Sequence, residues 1–180
     1  MFEKLKCAIK REMYLPKLIQ RGLKVGKNFK MMGGCILDPA HCWHISIGDD
    51  VTLAPRVHIL AHDASTKIHL GYTKVANTKI GNRCFVGAGS IILPGVTIGD
   101  DVIVGAGSIV SKDIPSGMLA VGNPAKVICS VEEYVDRMKG EINSENTFGE
   151  DYTLRNSNFS QEQRNRMVEV ASKQKLIFVK

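Results

Sequence analysis

The chain has 180 residues, 44% of them hydrophobic and 23% charged, a composition that fits one folded domain and argues against disorder. Its formal net charge is +6, but no dense basic run or aromatic ladder accompanies that charge, so we expect no nucleic-acid partner. Neither an apolar stretch of about 18 residues nor a signal-peptide pattern is found, and we therefore predict a cytoplasmic location.

The first predicted element is a helical segment over residues 1–21. Phe2, Leu5, Ile9 and Met13 follow helical spacing, and Pro16 is expected to end that helix or to begin a second one. Lysines accompany the apolar residues, so peripheral contact with a membrane is one interpretation. We favour the alternative, in which the segment packs on its own chain or on a neighbouring subunit.

A strict period of six dominates the middle of the chain. Such a period matches neither a helix face nor a strand face, and it predicts a short strand, a corner and another short strand, repeated as a solenoid. Three strands and corners make an 18-residue turn, and turns stack about 4.8 Å apart, so we expect Ile98 to stack on Ile80. The repeated positions are Ile80, Val86, Ile92, Ile98, Val104 and Val110.

The same period continues upstream, with interruptions. Ile47, Leu53 and Ile59 keep it, and a weaker series at Val25, Met31 and Leu37 indicates an earlier start, with the register disturbed over residues 39–44. From residue 59 to residue 80 is 21 residues where one step needs six, so 15 are surplus. We predict about five or six turns over residues 22–128, with a loop at about 63–77 directly after His62.

The remaining residues, 129–180, are predicted to form a helical extension that closes the open end of the coil. Ser130 with Glu133 is a capping-box pattern, and Ser160 with Gln163 repeats it more weakly. The apolar segment 176–179 is typical of a strand.

His62 is the main catalytic candidate. It lies at a corner where the chain leaves the coil, and an imidazole that titrates near neutrality suits a general base. On position alone, a histidine at a corner is more often a surface or hydrogen-bonded structural residue, so the surrounding motifs decide.

Taken in order, those motifs closely resemble the hexapeptide-repeat acetyltransferases, especially the branch of galactoside and maltose O-acetyltransferases. The resemblance covers about residues 22–128. It is carried by Ile47-Gly48-Asp49-Asp50-Val51, Leu53-Ala54-Pro55, His62-Asp63, Ile80-Gly81-Asn82, Pro94-Gly95-Val96-Thr97-Ile98-Gly99-Asp100, Val104-Gly105-Ala106-Gly107-Ser108, Lys112-Asp113-Ile114-Pro115 and Gly122-Asn123-Pro124-Ala125-Lys126-Val127-Ile128.

The resemblance implies a mainly β fold, a left-handed parallel β-helix with an N-terminal helix and a C-terminal helical extension. It also implies a homotrimer with active sites between subunits, and acetyl-coenzyme A as the acetyl donor with no metal required. The left hand comes from the family, because periodicity alone would not reveal it.

Carried over to this chain, the family's catalytic base falls on His62, oriented by either Asp38 or Asp63. We expect Trp43 and Tyr72 on the acceptor side, where the surplus loop departs from the sugar-acetylating relatives. The family's coenzyme A positions fall on Phe85, Ala88, Ala106, Ser111 and Lys112, and Lys126 is a further phosphate contact. Those alanines could equally be small corner residues, and the lysines solvated charges.

Two metal sites are weaker alternatives. Cys35, His41, Cys42 and His44 are close in sequence but lack the paired spacing of zinc ligands, and the five cysteines fit free thiols. We favour the alternative, in which Trp43 and these histidines line the acceptor side of the pocket or cover the register break. A γ-class carbonic anhydrase is disfavoured because residues 80–110 contain no histidine.

We therefore expect an O-acetyltransferase acting on a hydroxyl of a sugar or surface-polysaccharide precursor. Alternatives are an N-acetyltransferase for an amino sugar or nucleotide sugar, an enzyme that acetylates a drug hydroxyl, and a non-catalytic trimeric scaffold.

Overall fold

A computed structural model of the protein describes residues 15–180. These residues form two compact units, one ending at Val131 and one comprising Glu132–Lys180, and each is described by itself. The predicted helix of Phe2, Leu5, Ile9 and Met13 lies outside the described residues. Over residues 15–180, every helix is too short or too polar to cross a bilayer.

The first unit is a coil of very short strands, entered through helix α1 (Leu15–Gln20). The strands are β1 (Lys24–Val25), β2 (Lys30–Met31), β3 (Ile36–Leu37), β4 (Ile45–Ile47), β5 (Thr52–Leu53), β6 (His58–Ile59), β7 (His62–Asp63), β8 (Lys74–Val75), β9 (Thr78–Ile80), β10 (Phe85–Val86), β11 (Ile91–Ile92), β12 (Thr97–Ile98), β13 (Ile103–Val104), β14 (Ile109–Val110), β15 (Met118–Gly122) and β16 (Ala125–Ser130).

Parallel stacking gathers these strands into three faces. The first face has the order β1-β4-β9-β12, the second runs β2-β5-β10-β13-β15, and the third has the order β3-β6-β11-β14. Ile80 pairs with Ile98, which confirms the predicted stacking. The third face has four strands, so residues 24–122 make four full turns and part of a fifth, fewer than the five or six expected.

Two side chains of each strand and corner point inward. The aliphatic residues of the six-residue period are buried, and so are the residues two positions before them, such as Thr78, Cys84 and Ser90. Leu18 of α1 packs onto the same core from its N-terminal end. Burial of these aliphatic side chains between stacked turns supplies the main stabilisation of the coil.

Glycines at the corner between the first and second faces allow the turns to stack. A Cβ atom on Gly81 would lie 2.3 Å from Asp100 Oδ1 and 2.7 Å from the carbonyl carbon of Gly99. The next residue, Asn82, donates its backbone N–H to Asp100 Oδ1 at 2.7 Å. Equivalent bonds run from Lys27 to Asp49, from Asp49 to Asn82 and from Asp100 to Ser116.

Both insertions into the 18-residue repeat occur at the corner between the third and first faces. Val25 pairs with Ile47, a step of 22 residues, and Ile47 pairs with Ile80, a step of 33, where Ile80 to Ile98 needs 18. The first four surplus residues include the 3₁₀ turn Cys42–His44. The other 15 form the predicted excursion, an antiparallel pair of β7 and β8 around helix α2 (Lys67–Leu70).

The last turn ends differently from the others. β16 pairs with β15 in the antiparallel sense, so the chain turns back along the second face. This hairpin occupies the edge that another parallel turn would otherwise occupy.

The second unit contains most of helix α3 (Val131–Glu141), then helix α4 (Gln161–Gln174) and a parallel pair of β17 (Thr147–Phe148) with β18 (Phe178–Val179). The predicted helix start at Ser130 is confirmed by α3, and both hydrogen bonds of the capping box Ser160–Gln163 are present. The expectation that this extension closes the coil stays a prediction.

Candidate active site

A histidine and a carboxylate meet at the corner between the third and first faces. Asp38 directly follows β3, and His62 begins β7, one turn later on the same corner. Asp38 Oδ2 lies 2.5 Å from His62 Nδ1. The Asp38 side chain is fully buried, whereas 32% of the His62 side chain is exposed. The ring is therefore anchored on one side and accessible on the other.

Four backbone N–H groups hold the Asp38 carboxylate in place. Ala61 and His62 each donate to Oδ2 at 2.9 Å, and Ala40 and His41 each donate to Oδ1 at 3.2 Å. Burial alone would raise the pKa of Asp38, but the hydrogen bonds from Ala61, His62 and His41 outweigh it and lower that pKa below its ordinary value. Asp38 is thus a fixed anion next to His62.

Asp63, the alternative orienting residue, faces away from this pair. Its carboxylate Oδ2 lies 2.5 Å from Lys74 Nζ across the β7–β8 pair, and both side chains are partly exposed. A hydrogen bond from Lys74 lowers the pKa of Asp63. Of the two candidate orienting residues, Asp38 contacts the His62 ring and Asp63 pairs with Lys74 instead.

The four surplus residues bring an aromatic cluster beside His62. The ring centroids of His41 and His62 lie 4.7 Å apart, and the His41 ring also packs near Trp43, with centroids 5.5 Å apart. His44 Nδ1 lies 2.7 Å from Asn77 Oδ1, at the end of the excursion. Trp43 is half exposed. The aromatic cluster therefore lies beside His62 and presents an open aromatic face to solvent.

His41 has a special place in this cluster. Its Nδ1 atom is buried and has no hydrogen-bond partner. Sequence analysis placed His41 in a weak metal-ligand set or on the acceptor side of the pocket, but nothing in its spacing indicated contact with His62.

Asp38, His41 and His62 place ligand atoms within 4.8 Å of one another, as a metal site would. The carboxylate, however, already accepts five hydrogen bonds, and Oδ2 alone accepts three of them. A carboxylate offers about four lone-pair sites, so Asp38 has no free position for a metal. The donor set fits an oriented base better than a metal centre.

The four-residue set considered for zinc does not assemble. The Cys35 thiol donates to the carbonyl of Ala54, and the buried Cys42 thiol donates to the carbonyl of Leu18. His44 bonds Asn77 instead. Only His41 of that set belongs to the group of ligand atoms around Asp38 and His62.

Tyr72 follows α2 at the tip of the excursion and is 79% exposed. Its backbone carbonyl accepts a hydrogen bond from the Thr66 hydroxyl, which shapes the tip. Unlike Trp43, Tyr72 makes no ring contact with the described aromatic cluster.

The predicted coenzyme A residues lie on two different corners of the coil and on its second face. Ser111 and Lys112 directly follow β14 and so share the corner of His62, two turns further along. Ala88 and Ala106 stack at the corner between the second and third faces, where the Ala88 carbonyl accepts the N–H of Gly107 at 2.8 Å. Phe85 and Lys126 point outward from the second face. One chain alone does not bring these six residues together.

Comparison with known proteins agrees with this architecture. Residues 77–112 match the family described as bacterial transferase hexapeptide (six repeats). Protein CapG of Staphylococcus aureus is 40% identical over 134 residues, which are 70% of this chain and 76% of that protein.

Two solved structures are also similar. The maltose O-acetyltransferase of Clostridium difficile 630 superposes with a TM-score of 0.53 at 44% identity, over 59% of this chain and 57% of that one. A hexapeptide-repeat acetyltransferase of Vibrio cholerae, in complex with acetyl-coenzyme A, has a TM-score of 0.53 at 26% identity, with 61% of each chain covered. The match thus spans less than two thirds of either solved chain.

The chain belongs to the hexapeptide-repeat acetyltransferases. Its coil is therefore the left-handed parallel β-helix of that family, as predicted.

Proposed function

We propose that this acetyltransferase moves the acetyl group of acetyl-coenzyme A to a hydroxyl of a sugar-type acceptor, with His62 as general base. The observation that carries the proposal is the bond between His62 Nδ1 and the buried Asp38 carboxylate. Nδ1 donates its proton to Asp38, so Nε2 is left unprotonated and available on the accessible side of the ring.

The chemistry follows from that tautomer. His62 Nε2 removes the proton of the acceptor hydroxyl as its oxygen attacks the thioester carbonyl. The imidazolium that forms is stabilised by the Asp38 anion 2.5 Å from Nδ1. When the tetrahedral intermediate collapses, the C–S bond breaks and the same proton passes from Nε2 to the leaving thiolate. The acceptor becomes an acetyl ester, and no covalent enzyme intermediate is needed.

A hydroxyl of a sugar is the proposed acceptor. The aromatic cluster beside His62 offers the half-exposed face of Trp43, and an aromatic face with nearby polar atoms suits a sugar ring. The clostridial relative, titled a maltose O-acetyltransferase, agrees with this choice.

We also propose that the enzyme works as a homotrimer with its active sites between subunits. His62, Ser111 and Lys112 lie on one corner of the triangular coil, whereas Ala88, Ala106 and the second-face residues lie elsewhere. A groove that includes both sets needs two copies, with the corner of one copy against a face of the other.

The test is release of free thiol from acetyl-coenzyme A with a panel of sugars, nucleotide sugars and amino sugars. We expect release that depends on a hydroxyl acceptor, and a fall in turnover of about 10²–10⁴-fold in His62→Ala. Coenzyme A binding should be almost unchanged in that variant, since the base does not hold the cofactor. Unchanged turnover in His62→Ala would remove this residue from the mechanism.

Two outcomes of the same panel identify the alternatives. Release only with amino sugars, and a product amide, would identify an N-acetyltransferase using the same base. Absence of release together with absence of coenzyme A binding would favour a non-catalytic scaffold.

A further inference from the structure

The charge of this protein is concentrated at one end of its sequence. The first 37 residues contain nine Lys and Arg against two Asp and Glu, a net charge of 9 − 2 = +7. The other 143 residues contain 24 − 9 = 15 basic and 18 − 2 = 16 acidic residues, a net charge of −1. Such asymmetry is typical of chains that bind an extended anionic surface.

The fold keeps together in space the part of that charge that lies in residues 15–37. Residues 15–37 form α1 and the first turn, and each of β1, β2 and β3 is the outermost strand of its face. They therefore make one end of the coil, here called the basic end. Its cations are Lys17, Arg21, Lys24, Lys27 and Lys30, all exposed.

These five cations are not consumed by internal ion pairs. Within residues 15–180, none of them forms a salt bridge. The nearest carboxylates in the next turn serve the backbone and a side-chain amide instead: Asp49 accepts the N–H of Lys27, and Asp50 accepts the amide of Asn28. Residues 15–37 themselves contain no Asp or Glu.

The basic end also exposes apolar side chains. Ile19 of α1 and Met32 after β2 are each 44% exposed, although Leu18, between Lys17 and Ile19, is buried in the core. The one aromatic ring of this segment, Phe29, is partly buried against that core and is unavailable for stacking on bases. Cations interspersed with exposed aliphatic residues match a lipid surface better than a nucleic acid.

We propose that the basic end binds the surface of a membrane that contains anionic phospholipids. Lipid phosphates attract the five cations, and Ile19 and Met32 enter the boundary between headgroups and acyl chains. The attraction is electrostatic at long range, so salt should weaken it. The binding is peripheral. The coil then stands with its basic end on the bilayer, and the corner that carries His62 faces sideways, parallel to the membrane surface.

Co-sedimentation of the full chain with lipid vesicles tests the proposal. We expect the protein to pellet with vesicles of phosphatidylcholine and phosphatidylglycerol at low salt, and to stay in solution with phosphatidylcholine alone. Raising the salt should release it. The triple variant Lys24→Glu, Lys27→Glu, Lys30→Glu should bind at least about tenfold more weakly, because each cation contributes separately.

A matched control uses three exposed cations elsewhere, in the variant Lys67→Glu, Lys79→Glu, Arg155→Glu, which changes the net charge equally. This control should keep most of the binding, and thermal melting should show that both triple variants are folded. Equal loss in both variants would mean that net charge alone acts, and the proposal would be wrong. The proposal would also be overturned if the wild type failed to bind anionic vesicles, or bound neutral vesicles equally well. A third contrary result would be nucleic-acid binding that is as strong as vesicle binding and is lost in the Lys24→Glu, Lys27→Glu, Lys30→Glu variant.

Discussion

At the scale of single residues, the distinctive feature is that one carboxylate performs two tasks. Asp38 orients the His62 ring, and it also accepts the backbone N–H groups that fix the corner around it. A buried anion is tolerated only when it is well hydrogen-bonded, and here every oxygen has several donors. The proposed function and the local stability therefore depend on the same side chain.

We predict that Asp38→Asn lowers turnover by about 10²–10⁴-fold, because an amide no longer fixes the tautomer or stabilises the imidazolium. Asp63→Asn is the matched control, since its exposed pair with Lys74 lies off the catalytic ring, and we expect only a small change. Steady-state kinetics of the two variants measures the difference. A comparable loss in both would reject Asp38 as the orienting residue.

The same substitution should change the dependence of stability on pH. The pKa of Asp38 is lowered by its hydrogen bonds in the folded state, so its stabilising contribution is complete above the ordinary value of about 3.9. That contribution is lost as pH falls through the lower folded value. Acid unfolding followed by circular dichroism should be less steep below about pH 4 in Asp38→Asn than in the wild type.

Sequence reasoning proposed His62 as the base and left Asp38 and Asp63 open as the orienting residue. The reason is geometric: Asp63 is the sequence neighbour, whereas Asp38 is a neighbour only across a stacked turn that contains four surplus residues. The contact of His41 with His62 was not predicted for the same cause, because the 3₁₀ turn that places His41 there leaves no periodic signal.

At the scale of elements, a column of glycines at one corner allows successive turns to approach each other closely. Gly26, Gly48, Gly81 and Gly99 stack above one another, and a Cβ atom on any of them would lie within 2.5 Å of a side-chain oxygen of the next turn. Glycine recurs at this corner because the backbones of successive turns are in close contact there.

Gly81→Ala should therefore destabilise the coil by several kcal/mol, at the upper end of the effect of a point mutation. Gly33→Ala is the control, because a Cβ atom there would meet no atom within 4 Å, and its effect should stay within about 0.5 kcal/mol. Chemical denaturation of the two variants measures the difference. Equal midpoints would contradict the described stacking.

The excursion shows how much of the structure the six-residue period could predict and how much it could not. Its bounds of about 63–77 could be predicted by counting surplus residues, and β7, α2 and β8 fall within one residue of them. Its internal structure could not, since the β7–β8 pairing depends on which residues face each other after the chain leaves the coil.

At the scale of the whole molecule, the surface of the coil supports the proposed trimer. Ile36 and Phe85 point outward from the third and second faces and are 41% and 45% exposed, and exposed apolar side chains of this size favour a partner surface. We expect a mass of about three times 19.8 kDa by sedimentation equilibrium. A stable monomer with full activity would exclude sites shared between subunits.

A trimer also bears on the basic end. Rotation about a cyclic axis leaves direction along that axis unchanged, so three copies direct their basic ends to the same side. Weak attachment of each copy then adds up to firmer attachment of the assembly. The six-residue period made the coil predictable from the sequence. The cytoplasmic location and the packing of residues 132–180 do not depend on that period, and both stay predictions.

The antiparallel return of β16 along β15 has a consequence for how such coils change in evolution. A parallel strand at the end of a solenoid can accept one more turn, but β16 already fills that edge with hydrogen bonds of the opposite sense. On the second face, a duplicated repeat can therefore be added before β15 but not after it, because the terminal hairpin already pairs with that strand. The length of the coil is open to change while its end stays the same.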